Sequence, residues 1–266
     1  MPSKRVFTAL VGLPLFILLI FRGSSSLFFF SVLIVALQGQ NELYHLLESG
    51  EERLQKFLGL LMGALLLIGF YTEDGRLVAA TISLFLILIL IFRTFSMRDV
   101  AQAAKEIGVT FFGLFYVSYF LGYLILIRGQ EHGRSWIFFL FLVVWAGDTG
   151  AYYLGSRFGK HKLFRKISPK KTWEGAVGGL ICSLMASAAG RYFFFPEYDL
   201  NHMVILGGGL GLIGQIGDLA ESLLKRSAGF KDSGAVFPGH GGVLDRFDSI
   251  LFASPVLYYS VLLGVY

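Results

Sequence analysis

Residues 77–92 read LVAATISLFLILILIF, an uncharged run between Arg76 and Arg93. As a helix it spans ~24 Å at 1.5 Å per residue, and a few flanking residues bring it to the ~30 Å of a bilayer's hydrocarbon core. Comparable runs lie at 6–21, 24–38, 57–71, 109–127, 136–154, 174–195, 203–224 and 249–266. Hydrophobic residues make up 55% of the chain and charged residues 15%, with a mean hydropathy of +0.67. This composition excludes an ordinary soluble domain. A closed barrel would show alternating segments of about ten residues, and these runs are longer and continuously apolar. The expected fold is an all-α integral membrane protein, a polytopic bundle of about nine transmembrane helices.

Orientation follows from the basic residues. With the N-terminus in the cytoplasm, 18 of the 23 Lys and Arg residues fall on the cytoplasmic side, concentrated in 155–173 and 225–248. The formal charge of +5 is therefore local, and it suits anionic headgroups or phosphate substrates. The first span follows Lys4 and Arg5 as a secretion signal would, but it carries Pro14 and leads to FRGSSS with no small-x-small cleavage site, so it reads as a retained anchor. The single cysteine, Cys182, lies among small and apolar residues in a span and reads as packing. The stretch QNELYHLLESGEERLQK at 40–56 is amphipathic and is expected in the interface plane, with His45 at the surface. No linker divides the chain; 1–108 forms a plain apolar set of helices 1–4, and 109–266 the set that carries function.

Charges inside such a chain must face water, an ion or a charged ligand, because lipid solvates none of them. Asp218 is seven residues inside a span ending at Lys225, ~10 Å below the boundary, and Asp148 lies at a similar depth from the same side. Both should face one polar cavity open to the cytoplasm. Glu221 follows Asp218 by three residues on the same helix face, and Asp245 and Asp248 repeat that spacing at the start of the last span. Like charges so placed repel, and a bound cation removes the conflict. Mg2+ fits because it takes oxygen ligands and keeps water and substrate phosphates in its shell. The competing reading makes Asp218 and Glu221 partners of Lys225 or Arg226 in an intramembrane ion pair, and one of Asp245 and Asp248 a helix cap.

GHGG at 239–242 can bring backbone N–H groups close to a phosphate. GGGLGLIG at 207–214 contains GxGxxG but sits in an apolar span with no preceding strand, so close helix packing or a flexible wall explains it better than a dinucleotide fold. GSRFGKH at 155–161 lacks the spacing and the Ser or Thr of a Walker A loop.

The pattern S-x-x-K-R, four residues, K-D, then P-x-H-G-G-x-x-D-R-x-D, here Ser222 to Asp248, resembles the signature of the phosphatidate cytidylyltransferase (CDP-diacylglycerol synthase) family. WAGDTGAYYLGSRFGK at 145–160 and SPKKTWEG at 168–175 are also similar to that family. The resemblance implies an Mg2+-dependent reaction of CTP with phosphatidic acid to give CDP-diacylglycerol and pyrophosphate. On that reading Asp218, Glu221, Asp245 and Asp248 hold one or two cations, while Lys225, Arg226, Lys231 and Arg246 neutralise phosphate. His240 donates to pyrophosphate or to the lipid phosphate from its glycine loop, where Gly241 and Gly242 follow it. Lys170, Lys171 and Thr172 close over the triphosphate, Ser222 belongs to the signature, and Asp148 with Tyr152 forms the cavity floor. The phosphatidate oxygen is already anionic, so no general base is assigned.

The partners expected are CTP, phosphatidic acid and membrane lipid, with no nucleic acid; the glycine-rich spans and the resemblance suggest a homodimer. The implied location is a bacterial plasma (inner) membrane with the site facing the cytoplasm. Two rivals are a CTP-dependent polyprenol or dolichol kinase, and an ion-coupled transporter using Asp148, Asp218 and Glu221. Charge confined to one side, with no second acidic half, argues against the transporter. A CDP-alcohol phosphotransferase fails, because Asp74-Gly75 is followed by RLVAAT and not by the D-G-x-x-A-R pattern.

Overall fold

The apolar runs are helices that extend beyond their uncharged centres, because polar flanks supply the caps and the last turns. The computed structural model describes residues 12, 14–47, 53–96, 99–234 and 241–264. In chain order the helices are α1 (14–22), α2 (Ser25–Leu47), α3 (Arg53–Tyr71), α4 (Gly75–Phe95), α5 (Val100–Gly129), α6 (Gly133–Phe158), α7 (Trp173–Phe194), α8 (Leu200–Ser227) and α9 (Leu244–Leu262). Asp74 starts α4 by accepting from the backbone N–H groups of Arg76 and Leu77, and Asp199 starts α8 by accepting from His202. That hydrogen bond, given by a backbone N–H in the first turn of α8, holds the Asp199 carboxyl below its usual range.

Seven of these helices, α2 to α8, are long and apolar enough to cross a membrane, so the chain is a multi-pass membrane protein. The 19 residues of α9 open with Asp245, Arg246 and Asp248, which lowers their apolarity. Helix α4 exposes Leu84, Leu86, Ile87, Leu90 and Ile91, as a lipid-facing helix does.

Two details differ from expectation. Residues 40–47 are no separate in-plane helix: α2 continues through them, and Gln40, Glu42, Leu43, Tyr44 and Leu46 are buried. The polar groups there are satisfied within the protein, which removes the reason to lie at the surface. His45 is exposed, as read. The loop at 155–173 also contains a short antiparallel ribbon, β1 (Lys162–Phe164) with β2 (Ser168–Thr172), in an otherwise helical fold.

The chain forms two compact units, each described separately. The first comprises Met1–Leu126 with Asp232–Asp245, the second Ile127–Lys231 with Arg246–Tyr266. In the first unit a polar network stitches α2, α3 and α5. Gln40 Nε2 donates to the Gly59 carbonyl at 2.8 Å, Ser118 Oγ donates to Gln40 Oε1 at 2.5 Å, and the Tyr44 hydroxyl donates to the Thr110 carbonyl at 2.8 Å. Ser118 lies in a π-helical stretch of α5, Leu114–Tyr119, a local widening that often marks a special side-chain placement. Arg93 at the end of α4 pairs with Glu106 of α5 at 3.0 Å.

In the second unit α6, α7 and α8 approach through small residues. A Cβ at Gly147 would strike the Ser183 hydroxyl, one at Gly211 the same serine, and one at Gly207 Ser187. Four of the five glycines in the run 207–214 thus meet neighbours within the chain, as helix packing requires, and Gly209 faces open space. Cys182 likewise packs, lying against Gly150.

Candidate active site

Helix α8 carries Asp218 and Glu221 one turn apart, and their surroundings separate them. Glu221 is fully buried and receives Lys225 Nζ at 3.0 Å, an i to i+4 pair within the helix. Asp218 turns instead to Lys171 of β2, whose ammonium lies 2.7 Å from Oδ2; Ser222 Oγ is 3.5 Å from the other oxygen. The ion pair weighed for this helix therefore exists between Lys225 and Glu221, while Asp218 pairs with Lys171.

Asp148 of α6 and Asp248 of α9 complete the cluster. Asp148 is within electrostatic range of Asp218, Asp248 and Lys171, and Asp248 within range of Asp218, Glu221 and Lys225. Close packing brings α8 and α9 together here, since a Cβ at Gly217 would lie 2.6 Å from the Asp248 carbonyl oxygen. Among the described residues, four carboxylates on apolar helices thus lie near the ammonium groups of Lys171 and Lys225. The excess negative charge calls for a cation or a cationic ligand. Among the described residues no three His, Cys, Asp or Glu side chains group closely enough to hold an ion unaided.

The basic ribbon is fastened to this cluster from both sides. Thr172 is buried and caps α7, its Oγ1 accepting from the Gly175 N–H at 3.1 Å. That places Thr172 in a structural role, with Lys171 beside it aimed at Asp218. Glu174 in the first turn of α7 accepts from the backbone N–H groups of Lys160 and His161 and pairs with His161 Nδ1 at 2.6 Å. Arg226 donates from Nε to the Ile167 carbonyl and from Nη1 to the Phe230 carbonyl, so it braces the ribbon's turn. Lys170 is exposed, as are Lys231 and Arg246. Tyr152 is 70% exposed, with its ring edge-on to Tyr153, so it faces away from the protein interior.

In the first unit, the ends of the segment leading into α9 are tied down by two carboxylates. Asp245 Oδ2 accepts from Ser233 N, Ser233 Oγ and Gly242 N at 3.0, 3.0 and 2.7 Å. Gly241 adopts φ +81, and a Cβ there would collide with the same Asp245 oxygen, so only glycine fits. Glu42 of α2 accepts from Val243 N, Leu244 N and Ser233 Oγ at 2.9, 3.0 and 3.1 Å. Backbone groups expected to cradle phosphate at Gly242 thus face a protein carboxylate. Glu42 lies in a stretch whose sequence reads as an amphipathic surface, so its burial is not legible there. His240 lies outside the described residues. A crevice of about 300 Å3 between the ends of α4 and α5, lined by Leu90, Arg93, Thr94, Val100 and Ile107 among others, involves none of these residues.

The arrangement can gather anionic ligands: fixed carboxylates ready for a hard cation stand beside a braced ribbon of lysines. Residues 3–263 match the family model described as the cytidylyltransferase family. The chain is 36% identical over 259 residues to a phosphatidate cytidylyltransferase of Staphylococcus aureus (strain COL), covering 95% of this chain and 96% of that protein. It is 37% identical over 263 residues to the protein of that name from Staphylococcus saprophyticus, with the same two shares covered, 95% and 96%. With the Bacillus subtilis (strain 168) phosphatidate cytidylyltransferase it shares 34% identity over 266 residues, 97% of this chain and 96% of the relative. An acid cluster with lysine counter-charges, in a multi-pass helical chain that matches along almost its whole length, leads to one assignment: the chain belongs to the cytidylyltransferase family.

Proposed function

We propose that the chain transfers the cytidylyl group of CTP to phosphatidic acid, giving CDP-diacylglycerol and pyrophosphate. One observation carries the chemistry: Asp148, Asp218, Glu221 and Asp248 gather around Lys171 and Lys225 in a member of a cytidylyltransferase family. A lipid phosphate oxygen forms a bond to the α-phosphorus of CTP as the bond to the β-phosphate oxygen breaks. Both reactants are anions, so counter-charge and alignment dominate the barrier.

Oxygen donors alone suit a hard divalent cation, and Mg2+ commonly takes one or two carboxylates and completes its shell with water and substrate phosphates. The donor set therefore fits. Asp218, Glu221 and Asp248, with Asp245 a turn earlier in α9, are the residues that would hold it. When bound it supplies charge to the triphosphate and to the attacking oxygen. The protein's own groups do the rest. Lys171 and Lys225 stand at the carboxylates to meet phosphate, while Lys170, Lys231 and Arg246 offer exposed positive charge for the polyphosphate and the headgroup. Arg226 and Glu174 hold the ribbon so that Lys171 keeps its place. Because the phosphatidate oxygen enters as an anion, no side chain needs to accept a proton. The bias of Lys and Arg supports a site facing the cytoplasm in a plasma membrane, with the N-terminus on the same side; a homodimer belongs to the same reading.

The test uses purified protein, vesicles containing phosphatidic acid, and CTP labelled in the cytosine ring. Wild type should place the label in lipid in a Mg2+-dependent manner, and Asp248→Asn should lower the rate about 100-fold or more. Near-normal turnover in both Asp245→Asn and Asp248→Asn would end the cation assignment. Lipid labelled from the γ-phosphate of CTP and never from cytosine would identify a kinase instead.

A further inference from the structure

Glu42 is 4% exposed and sits in α2, far in sequence from the acidic signature. Burying a carboxylate is costly unless it is hydrogen-bonded, and here both oxygens are used. Oε1 accepts from Val243 N, and Oε2 accepts from Leu244 N and Ser233 Oγ. Val243 and Leu244 open α9, where the first N–H groups have no partner inside the helix. Asp245 takes Gly242 N and the backbone N–H of Ser233. The single proton of the Ser233 hydroxyl lies within reach of both acids, 3.1 Å from Glu42 and 3.0 Å from Asp245.

We propose that Glu42 is a positioning residue for cytidylyl transfer: its carboxylate fixes the start of α9, and through it the alignment of Asp245 and Asp248, from a helix that itself carries no proposed ligand. The proposal rests on the reading that the acids of α9 serve the reaction. Its geometry requires a carboxylate, because both ends of the group face donors. A glutamine would turn an NH2 toward either Val243 N or the pair Leu244 N and Ser233 Oγ, and one side would lose its acceptor. The consequence falls on the first turn of α9, and a displacement of about 1 Å there is enough to slow a reaction about 100-fold.

Wild type, Glu42→Gln, Ser233→Ala and Asp248→Asn are compared in phosphatidic acid vesicles with cytosine-labelled CTP, alongside amide hydrogen exchange. Glu42→Gln is expected to lower kcat about 10- to 100-fold while KM for CTP changes by less than about threefold, and Ser233→Ala to lower kcat by about threefold to tenfold. Exchange at Val243 and Leu244 should accelerate at least about tenfold in Glu42→Gln, with α6, α7 and α8 unchanged. A general loss of stability would speed exchange throughout and would overturn the proposal. So would a Glu42→Gln enzyme with wild-type kcat and exchange. If both Glu42→Gln and Ser233→Ala fail to fold, Glu42 is a determinant of the fold and the proposal also falls. A wild-type protein that labels no lipid would remove the cytidylyl-transfer reading, while the exchange measurement would still report whether Glu42 fixes α9.

Discussion

Lys225, proposed to meet phosphate, also holds a buried ion pair within its own helix. Its ammonium lies 3.0 Å from Glu221, with side-chain exposures of 10% and 0%. Removing one member of such a buried pair typically costs about 3–5 kcal/mol, whereas replacing both by apolar groups is often neutral. Lys225→Met should therefore lower the thermal midpoint clearly, and Lys225→Met with Glu221→Leu should recover most of it without recovering activity. A calorimetric scan and the labelled-CTP assay on the same samples would check this; activity regained in the double variant would reduce the pair to a structural role. Asp218 is a different case, since its partner Lys171 comes from the ribbon. Both partnerships involve acids that the sequence had marked, yet the choice between Lys225 and Lys171 depended on side-chain reach across elements.

Among the elements, the ribbon and the helix that follows it form one device. Thr172 ends β2 and caps α7, and the lysine before it reaches Asp218. Loss of an N-cap of this kind costs about 1 kcal/mol. Thr172→Ala should lower the melting temperature by about 2–4 °C, and Thr172→Ser, which keeps the hydroxyl, should retain both stability and turnover. If Thr172→Ser were as slow as Thr172→Ala, the threonine methyl and not the cap would matter. The cap could have been read from sequence, because a threonine just before a long apolar run is a helix-start signal; proximity to Lys170 and Lys171 drew the reading toward phosphate instead. The ribbon itself had no comparable signal in KLFRKISPKKT, where charge obscures any alternation. Helix α2 shows the converse: its C-terminal end is polar in sequence but buried in the fold, since Gln40, Glu42 and Tyr44 find partners on α3, α5 and the segment before α9.

For the whole molecule, the distribution of basic residues gives the testable statement. A Cys182→Ser background carrying Lys166→Cys, in the turn between β1 and β2, places one thiol on the segment read as cytoplasmic. A membrane-impermeant maleimide should label it in inverted vesicles and leave right-side-out vesicles unlabelled. The opposite pattern would reverse the orientation and put the lysine ribbon outside. The sequence by itself determined the membrane class, the all-helical architecture with the approximate places of its apolar helices, and the residues from Ser222 to Asp248 that mark the family. Those follow from hydropathy summed over neighbours and from fixed short spacings, both of which are local. Only the tertiary structure decided that Lys225 serves Glu221, that Lys171 serves Asp218, and that Glu42 caps α9 from 202 residues away along the chain. Such pairings are set by distances across packed helices, where each buried donor takes whichever acceptor the fold brings within about 3 Å.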